Sequence, residues 1–181
     1  MPFATWWRGD PLPELPPLPS FVARRSTDHA LIGRLTGLPE LMLSARLGAD
    51  NDFFVGCLDG EPAGYGWLAR RSGGIDELDF SFDLPAGNVY LWDFLTLPAW
   101  RGRGLYPHLL QAIVVQVTDA ERFWIGYEAR NLASARGIQK AGFQVVGDLA
   151  VADGRVSGFV AEGLGPRVEA ASALFQRDIQ T

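Results

Sequence analysis

An α/β domain around a mixed sheet is the fold this sequence predicts, on three observations. Runs that alternate apolar and polar residues interchange with runs of helical spacing along the chain,. After residue 104 the order is helix, strand, helix, two strands, and no repeat or linker divides the 181 residues,. A hydrophobic content of 48% supplies a sizeable core within the size of one domain,.

Six of the twelve prolines fall in residues 1–20, where DPLPELPPLP suits neither a helix interior nor a central strand,. This stretch is expected to be an extended arm. It carries Trp6 and Trp7, so it should fold back onto its own domain or onto a partner chain, the latter allowing a homodimer. The domain proper is expected over residues 21–165, with a tail over 166–181 that can add a terminal helix.

Within the domain, FVARR (21–25) reads as a strand, and the stretch from Ser26 to Gly48 as two short helices broken near Gly37 and Pro39,. DFFVGCLDGEPAGYGWLARR is a hairpin with its turn at DGEP,. ELDFSFDLP alternates, NVYLWDFLTL is a strand rich in β-formers, and LYPHLLQAIVVQVTD is an amphipathic helix with proline tolerated in its first turn,. RFWIGYEA is a further strand. NLASARGIQKAG is a helix capped by Asn131 and ended by Gly142, and FQVVGDLAVADGRVSGFVAE is a closing hairpin with its turn at ADGR,.

The net charge of −5 argues against a nucleic-acid partner, which needs a broad basic face, and suits a small cationic substrate,. All basic residues but Lys140 are arginines, whose planar fork matches phosphate oxygens,. Cys57 is the single cysteine, so no internal disulfide forms, and no spacing of ligands suggests a metal,. No run approaches the ~20 apolar residues of a membrane span. These features predict a cytoplasmic protein without a membrane partner,.

The segment DFLTLPAWRGRGLYPHLL is a strand, a glycine-rich turn and a helix, an arrangement that holds phosphate on the unpaired amides of the first helical turn,. The dinucleotide fingerprint fails because Pro107 stands where the third glycine belongs, and the Walker lysine is absent,. A G-x-S-x-G elbow is also missing, and His29 and His108 are the only histidines for triad chemistry,. What remains is R-x-x-G-x-Tyr, Arg101 to Tyr106.

This segment resembles the cofactor motif of the GNAT superfamily of N-acetyltransferases, [RQ]-x-x-G-x-[GA] between a strand and a helix. NLASARGIQKAGF likewise resembles the family's N-x-x-[AS]…K-x-G-F stretch, in the same order. The resemblance, over residues 52–163, implies a mostly antiparallel mixed sheet in which the family's parallel strands 4 and 5 splay apart, flanked by helices. It implies an acyl-CoA N-acyltransferase using acetyl-CoA as acyl donor, without a metal. Leu95, Thr96, Leu97, Arg101, Gly102, Arg103, Gly104, Leu105, Tyr106, Asn131 and Ser134 are then the cofactor-binding candidates. Gly102 and Gly104 would let the backbone approach the pyrophosphate, and Thr96 and Leu97 would offer backbone amides to the pantetheine and the thioester carbonyl. Tyr106 departs from the family's small residue: its ring either swings away from the cofactor or packs against the pantetheine arm.

Transfer to an amine requires the neutral base. An alkylamine with a pKa of about 10.4 pays roughly 4.6 kcal/mol for that at pH 7. Asp93, where some members of the resembled family place an acidic base, is the first candidate, and Trp92 and Phe94 beside it would raise its pKa,. An aspartate bonded to a neighbouring arginine is the other reading. Glu77 and Asp79 are rivals, and Glu128 is a weaker one; Glu77 or Asp79 can instead hold a cationic substrate. The family often places an acidic tyrosine four residues before the glycine of G-F, and here that position is Ile138. Ser134 is the nearest hydroxyl for the leaving thiolate, with Tyr127 and Tyr106 as alternatives. Trp92 and Tyr127 are candidates for the acceptor pocket. The sequence thus points to acetyl transfer to the primary amine of a small molecule. A protein or peptide N-terminal acetyltransferase and a non-catalytic CoA-binding module are the alternatives.

Overall fold

The computed structural model describes residues 1–177, 179 and 180; Asp178 and Thr181, in the expected tail, lie outside the described residues. Eleven strands and five helices follow in the order β1 (Pro2–Trp7), β2 (Phe21–Ser26), α1 (His29–Thr36), α2 (Glu40–Gly48), β3 (Asn51–Leu58), β4 (Glu61–Ala69), β5 (Ser72–Ile75), β6 (Phe80–Asp83), β7 (Asn88–Thr96), α3 (Leu105–Gln116), β8 (Arg122–Gly126), α4 (Leu132–Lys140), β9 (Gln144–Ala152), β10 (Arg155–Ala161), α5 (Pro166–Phe175) and β11 (Ile179–Gln180). Nine strands form one sheet in the order β11-β10-β9-β1-β8-β7-β4-β3-β2, and β5 and β6 form a separate hairpin. The main sheet is antiparallel except where β7 meets β8 and β10 meets β11. The mixed, mostly antiparallel sheet with flanking helices is as expected.

Its N-terminal edge is not. Residues 2–7 are an inner strand, pairing antiparallel with β8 on one side and β9 on the other, and not an appended arm. Alternation explains why they fit there: Phe3 enters the core beneath α5, while Ala4 and Trp6 enter the core beneath α3,. The buried Thr5 hydroxyl donates to Phe123 O at 2.9 Å. The proline-rich remainder closes over the helical side, with Trp6 Nε1 donating to Pro11 O and Gln111 Nε2 to Pro13 O. Arg8 anchors the end of β1. Its guanidinium donates to the carbonyls of Val114 and Val117 at the C-terminus of α3, where carbonyls lack helical partners, and of Ala120 in the turn beyond,.

The expected parallel pair is β7 with β8, and it is short. Asn88–Leu91 lie against Arg122–Ile125, and beyond Leu91 and Ile125 the two strands part. Each is held by its other neighbour: Thr96 of β7 pairs with Gly64 of β4, while Gly126 of β8 pairs with Phe3 of β1 and the Tyr127 amide donates to Pro2 O. A bulge in β7 falls just beyond the last residue paired with β8. The register shifts between Tyr65 and Trp67 of β4, and Asp93 opposite adopts φ +50°,. Helices α3 and α4 pack on one face of the sheet through Leu109, Leu110, Ile113, Ile138 and Phe143. The α1–α2 pair covers the other face with Leu31, Ile32 and Leu43. The β5–β6 hairpin and α5 lie further along that face. No helix among the described residues is long and apolar enough to cross a membrane.

Candidate active site

The parting of β7 and β8 opens a cleft of about 1350 Å³ that runs from the α3–α4 face of the sheet to the face carrying the β5–β6 hairpin. Its first half begins at the turn after β7. Gly102 and Gly104 have φ +77° and +79°, so both need glycine, and a Cβ at Gly102 would meet nothing within 4 Å,. Among the described residues, the amides of Gly102 to Tyr106 donate to no acceptor in the chain. A positive helix end, free amides and open space in front of them make a cradle that fits a phosphate group.

The arginines divide their work. Arg101 lines the cleft and its Nε donates to Thr96 O at 3.2 Å. Arg103 does not line the cleft; its guanidinium lies 4.9 Å from the ring centre of Trp100, which does. Arg136 and Lys140 of α4 add positive charge to this half. Asn131 caps α4 by accepting from the Ser134 amide at 3.0 Å, and Ser134 faces the cleft. Leu95, Thr96 and Leu105 line the wall. Leu97 does not serve as expected: its amide donates to Ala63 O at 2.9 Å and is spent within the chain.

Tyr106 lines the cleft. Its ring packs on α4 at Gly137, where an added Cβ would stand 2.4 Å from Cδ1, and its hydroxyl is 3.5 Å from Ser134 Oγ. Phe94 flanks it, with ring centroids 5.5 Å apart. Burial pushes the Tyr106 phenol up to about 12, so it stays protonated at neutral pH,. Ile138, by contrast, is fully buried in the core beneath α3 and faces away from the cleft.

The second half has the opposite polarity. Glu77, in a one-turn 3-10 helix over Asp76–Leu78, is exposed, lines the cleft and has no side-chain partner among the described residues. Asp93 lines it too, but not in the apolar box that its neighbours Trp92 and Phe94 suggest. Phe94 packs on the opposite face of the sheet, over Gly66, and the Asp93 carboxylate accepts from Arg46 Nη1 at 2.7 Å. Arg46, from α2, lies over the packed indoles of Trp67 and Trp92, at 5.4 and 4.6 Å from their ring centres,. Tyr127 lines the cleft with its phenol raised, first by burial and then by Asp148 and Glu162. Glu128 is paired with Arg130 at 2.8 Å, and Asp79, in the left-handed conformation with φ +45°, ends the 3-10 turn and is not on the cleft wall. No group of three or more metal-binding side chains occurs among the described residues.

The site thus unites Glu77, Trp92, Asp93, Leu95, Thr96, Arg101, Gly102, Gly104, Leu105, Tyr106, Tyr127, Asn131 and Ser134 on one cleft, and leaves Leu97 and Arg103 off it. Reasoning from sequence missed Arg46 and Gly137. Nothing local marks Arg46, whose partner is 47 residues away. Gly137 did leave a trace, because glycine inside a helix costs roughly 1 kcal/mol and invites a packing reason.

Residues 17–143 match the family model of the acetyltransferase (GNAT) family. No curated protein matches the chain in sequence. Among solved structures, a GCN5-related N-acetyltransferase from Kribbella flavida superposes with a TM-score of 0.50 at 16% identity, over 79% of this chain and 53% of that one. A putative GNAT-family acetyltransferase from Novosphingobium aromaticivorans gives 0.52 at 21% identity, over 79% and 59%. The present chain therefore spans only a little over half the length of these two. AAC(6′)-Iy, solved with the bisubstrate analogue CoA-S-monomethyl-acetylneamine, gives 0.51 at 22% identity, over 68% of this chain and 90% of that one. At these identities the likeness is one of fold.

Proposed function

The chain belongs to the acetyltransferase (GNAT) family, and from that premise we propose that it is an N-acetyltransferase that moves the acetyl group of acetyl-CoA directly to a primary amine of a small molecule. The observation that carries this reading is the run of free amides at Gly102–Tyr106, opened by two left-handed glycines with clear space before them. Acetyl-CoA supplies an activated thioester when bound. The 102–106 amides hold its pyrophosphate, and Arg101, Arg136 and Lys140 add charge at that end of the cleft,.

At the other end a carboxylate relieves the acceptor ammonium of its proton, a step worth about 4.6 kcal/mol at pH 7. Asp93 and Glu77 both face that half. Asp93 shares its oxygens with Arg46, whereas Glu77 is unpaired among the described residues, so Glu77 is free to hold or deprotonate a cation. Ile75, Leu78, Trp92 and Tyr127 supply apolar wall around them, which suits a small amine with an apolar body,. Ser134, on the α4 wall of the cleft, offers its hydroxyl as a hydrogen-bond donor to the departing thiolate, which takes up the proton that the acylated nitrogen gives up. The neighbour solved with a CoA-linked acetylneamine analogue supports a small amine acceptor.

The ion pair of Asp93 also favours a second reading, a module that binds CoA without turnover. The two separate in one assay: the purified protein with acetyl-CoA and a panel of small amines, followed for free thiol and for the acetylated amine by mass spectrometry. Thiol release matched by product supports transfer. CoA binding with no product from any amine overturns it in favour of the module.

A further inference from the structure

The strongest unexplained feature is a matched pair of sizes where α3 meets α4 on the cleft wall. Tyr106 is large where it leaves the first turn of α3, and Gly137 is empty where that ring arrives on α4. Its hydroxyl reaches Ser134, one turn earlier on α4, so one side chain spans from α3 to α4. Both helices wall the half of the cleft that holds the cradle amides, and Glu77, Trp92 and Asp93 line the other half. A donor arm laid from those amides between α3 and α4 meets the ring.

We propose that Tyr106 is a movable bar across the cleft, held shut by Gly137 and Ser134, and that seating of the CoA arm displaces its ring from α4. This rests on the reading of the cleft as an acetyl-CoA site. The ring is only partly buried, so solvent space exists for it to turn into. Its neighbours do not lock it: Phe94 meets it at a tilt of 58°, and the hydroxyl contact to Ser134 is long,. The fixed element is α4, whose backbone at Gly137 is buried. If the chain must open before it binds, apparent affinity falls by the open fraction.

That gives an unusual test, because adding an atom to the wall should improve binding. Gly137→Ala puts a methyl 2.4 Å from the ring, and the side chain of Tyr106 is the part able to yield. Alanine is also the better helix former, so the variant should fold. CoA is titrated into wild type, Gly137→Ala and Tyr106→Ala by calorimetry, with association rates by stopped-flow tryptophan fluorescence and folding checked by thermal melting. Both variants should bind CoA about fivefold or more tightly, mainly through faster association. Tyr106→Phe, which keeps the ring and loses the hydroxyl, should fall between them and wild type. Binding by the variants but not by wild type supports the bar in its tightest form. Unchanged or weaker binding in folded Gly137→Ala and Tyr106→Ala overturns the bar while leaving the CoA reading intact. No binding by any form overturns both.

Discussion

Arg46 Nη1 donates to Asp93 Oδ2 at 2.7 Å while its guanidinium lies 4.6 Å from the Trp92 ring centre, so one arginine from α2 holds two neighbouring residues of β7. The carboxylate is 39% exposed and the arginine 24%. Arg46→Gln removes this hold. If Asp93 is the base, its carboxylate is then free to turn away from the acceptor, so turnover should fall while CoA affinity stays unchanged. Asp93→Asn should lower turnover at pH 7 without changing CoA affinity. If Glu77→Gln does this and Asp93→Asn does not, the proton acceptor is Glu77 and the Arg46–Asp93 pair is structural.

Arg8 ties β1 to α3, and its loss should destabilise the whole sheet. Four hydrogen bonds reach three carbonyls, and the guanidinium rests on Trp6 and Phe123 at 5.4 and 5.5 Å. Bonds from a charged donor contribute about 1.5–3 kcal/mol each but not additively, so Arg8→Ala should cost about 3 kcal/mol. For a chain of this size that lowers Tm by roughly 6–12 °C. A melt within 2–3 °C of wild type, roughly 1 kcal/mol or less, would mean that the pairing with β8 and β9 holds β1 without it.

Tyr106 predicts a loss of stability in alkali. Its folded pKa, pushed up to about 12 by burial, exceeds the unfolded value of 10.0, so above pH 10 the unfolded chain loses its proton first,. The contribution is complete below pH 10 and falls away as pH rises through 12, on the order of 2 kcal/mol. Tyr106→Phe should therefore melt with a shallower pH dependence than wild type between pH 10 and 12. Parallel curves would place the phenol in solvent.

Ile138→Tyr should not rebuild a tyrosine in the cleft. Ile138 is fully buried against α3, so the phenol would be forced into a packed core at a cost of about 1–3 kcal/mol,. A lowered Tm with no gain in turnover is the expected outcome, and a faster enzyme at unchanged Tm would show that α4 rotates.

Local patterns carried most of the fold. Asn131 and Gly142 bounded α4 because capping is written in neighbouring residues, and the turns at Asp59–Gly60 and Asp153–Gly154 adopt the positive φ their sequences suggest,. The place of β1 was not legible, since the partners of FATWW begin 115 or more residues later and the prolines after it dominate the composition. The hairpin strand β5 was lost for a different reason. SGGI has little β-propensity and is held by the Phe82 ring over Gly73, where an added Cβ would stand 2.3 Å away,. In the site, the glycine turn that opens α3 was readable because it is contiguous. The Arg46–Asp93 pair and the Tyr106–Gly137 fit were not, because each is a meeting of distant segments.

Calorimetric titration of CoA into wild type and Gly104→Val tests the central claim most directly. Valine at φ +79° strains the turn and sets a branched side chain before the free amides, so a melt is recorded alongside,. The account predicts saturable one-to-one binding by wild type and at least a tenfold weakening, about 1.4 kcal/mol, in the folded variant. Equal affinity in the two folded proteins would contradict it and remove the Gly102–Tyr106 amides from the cofactor site.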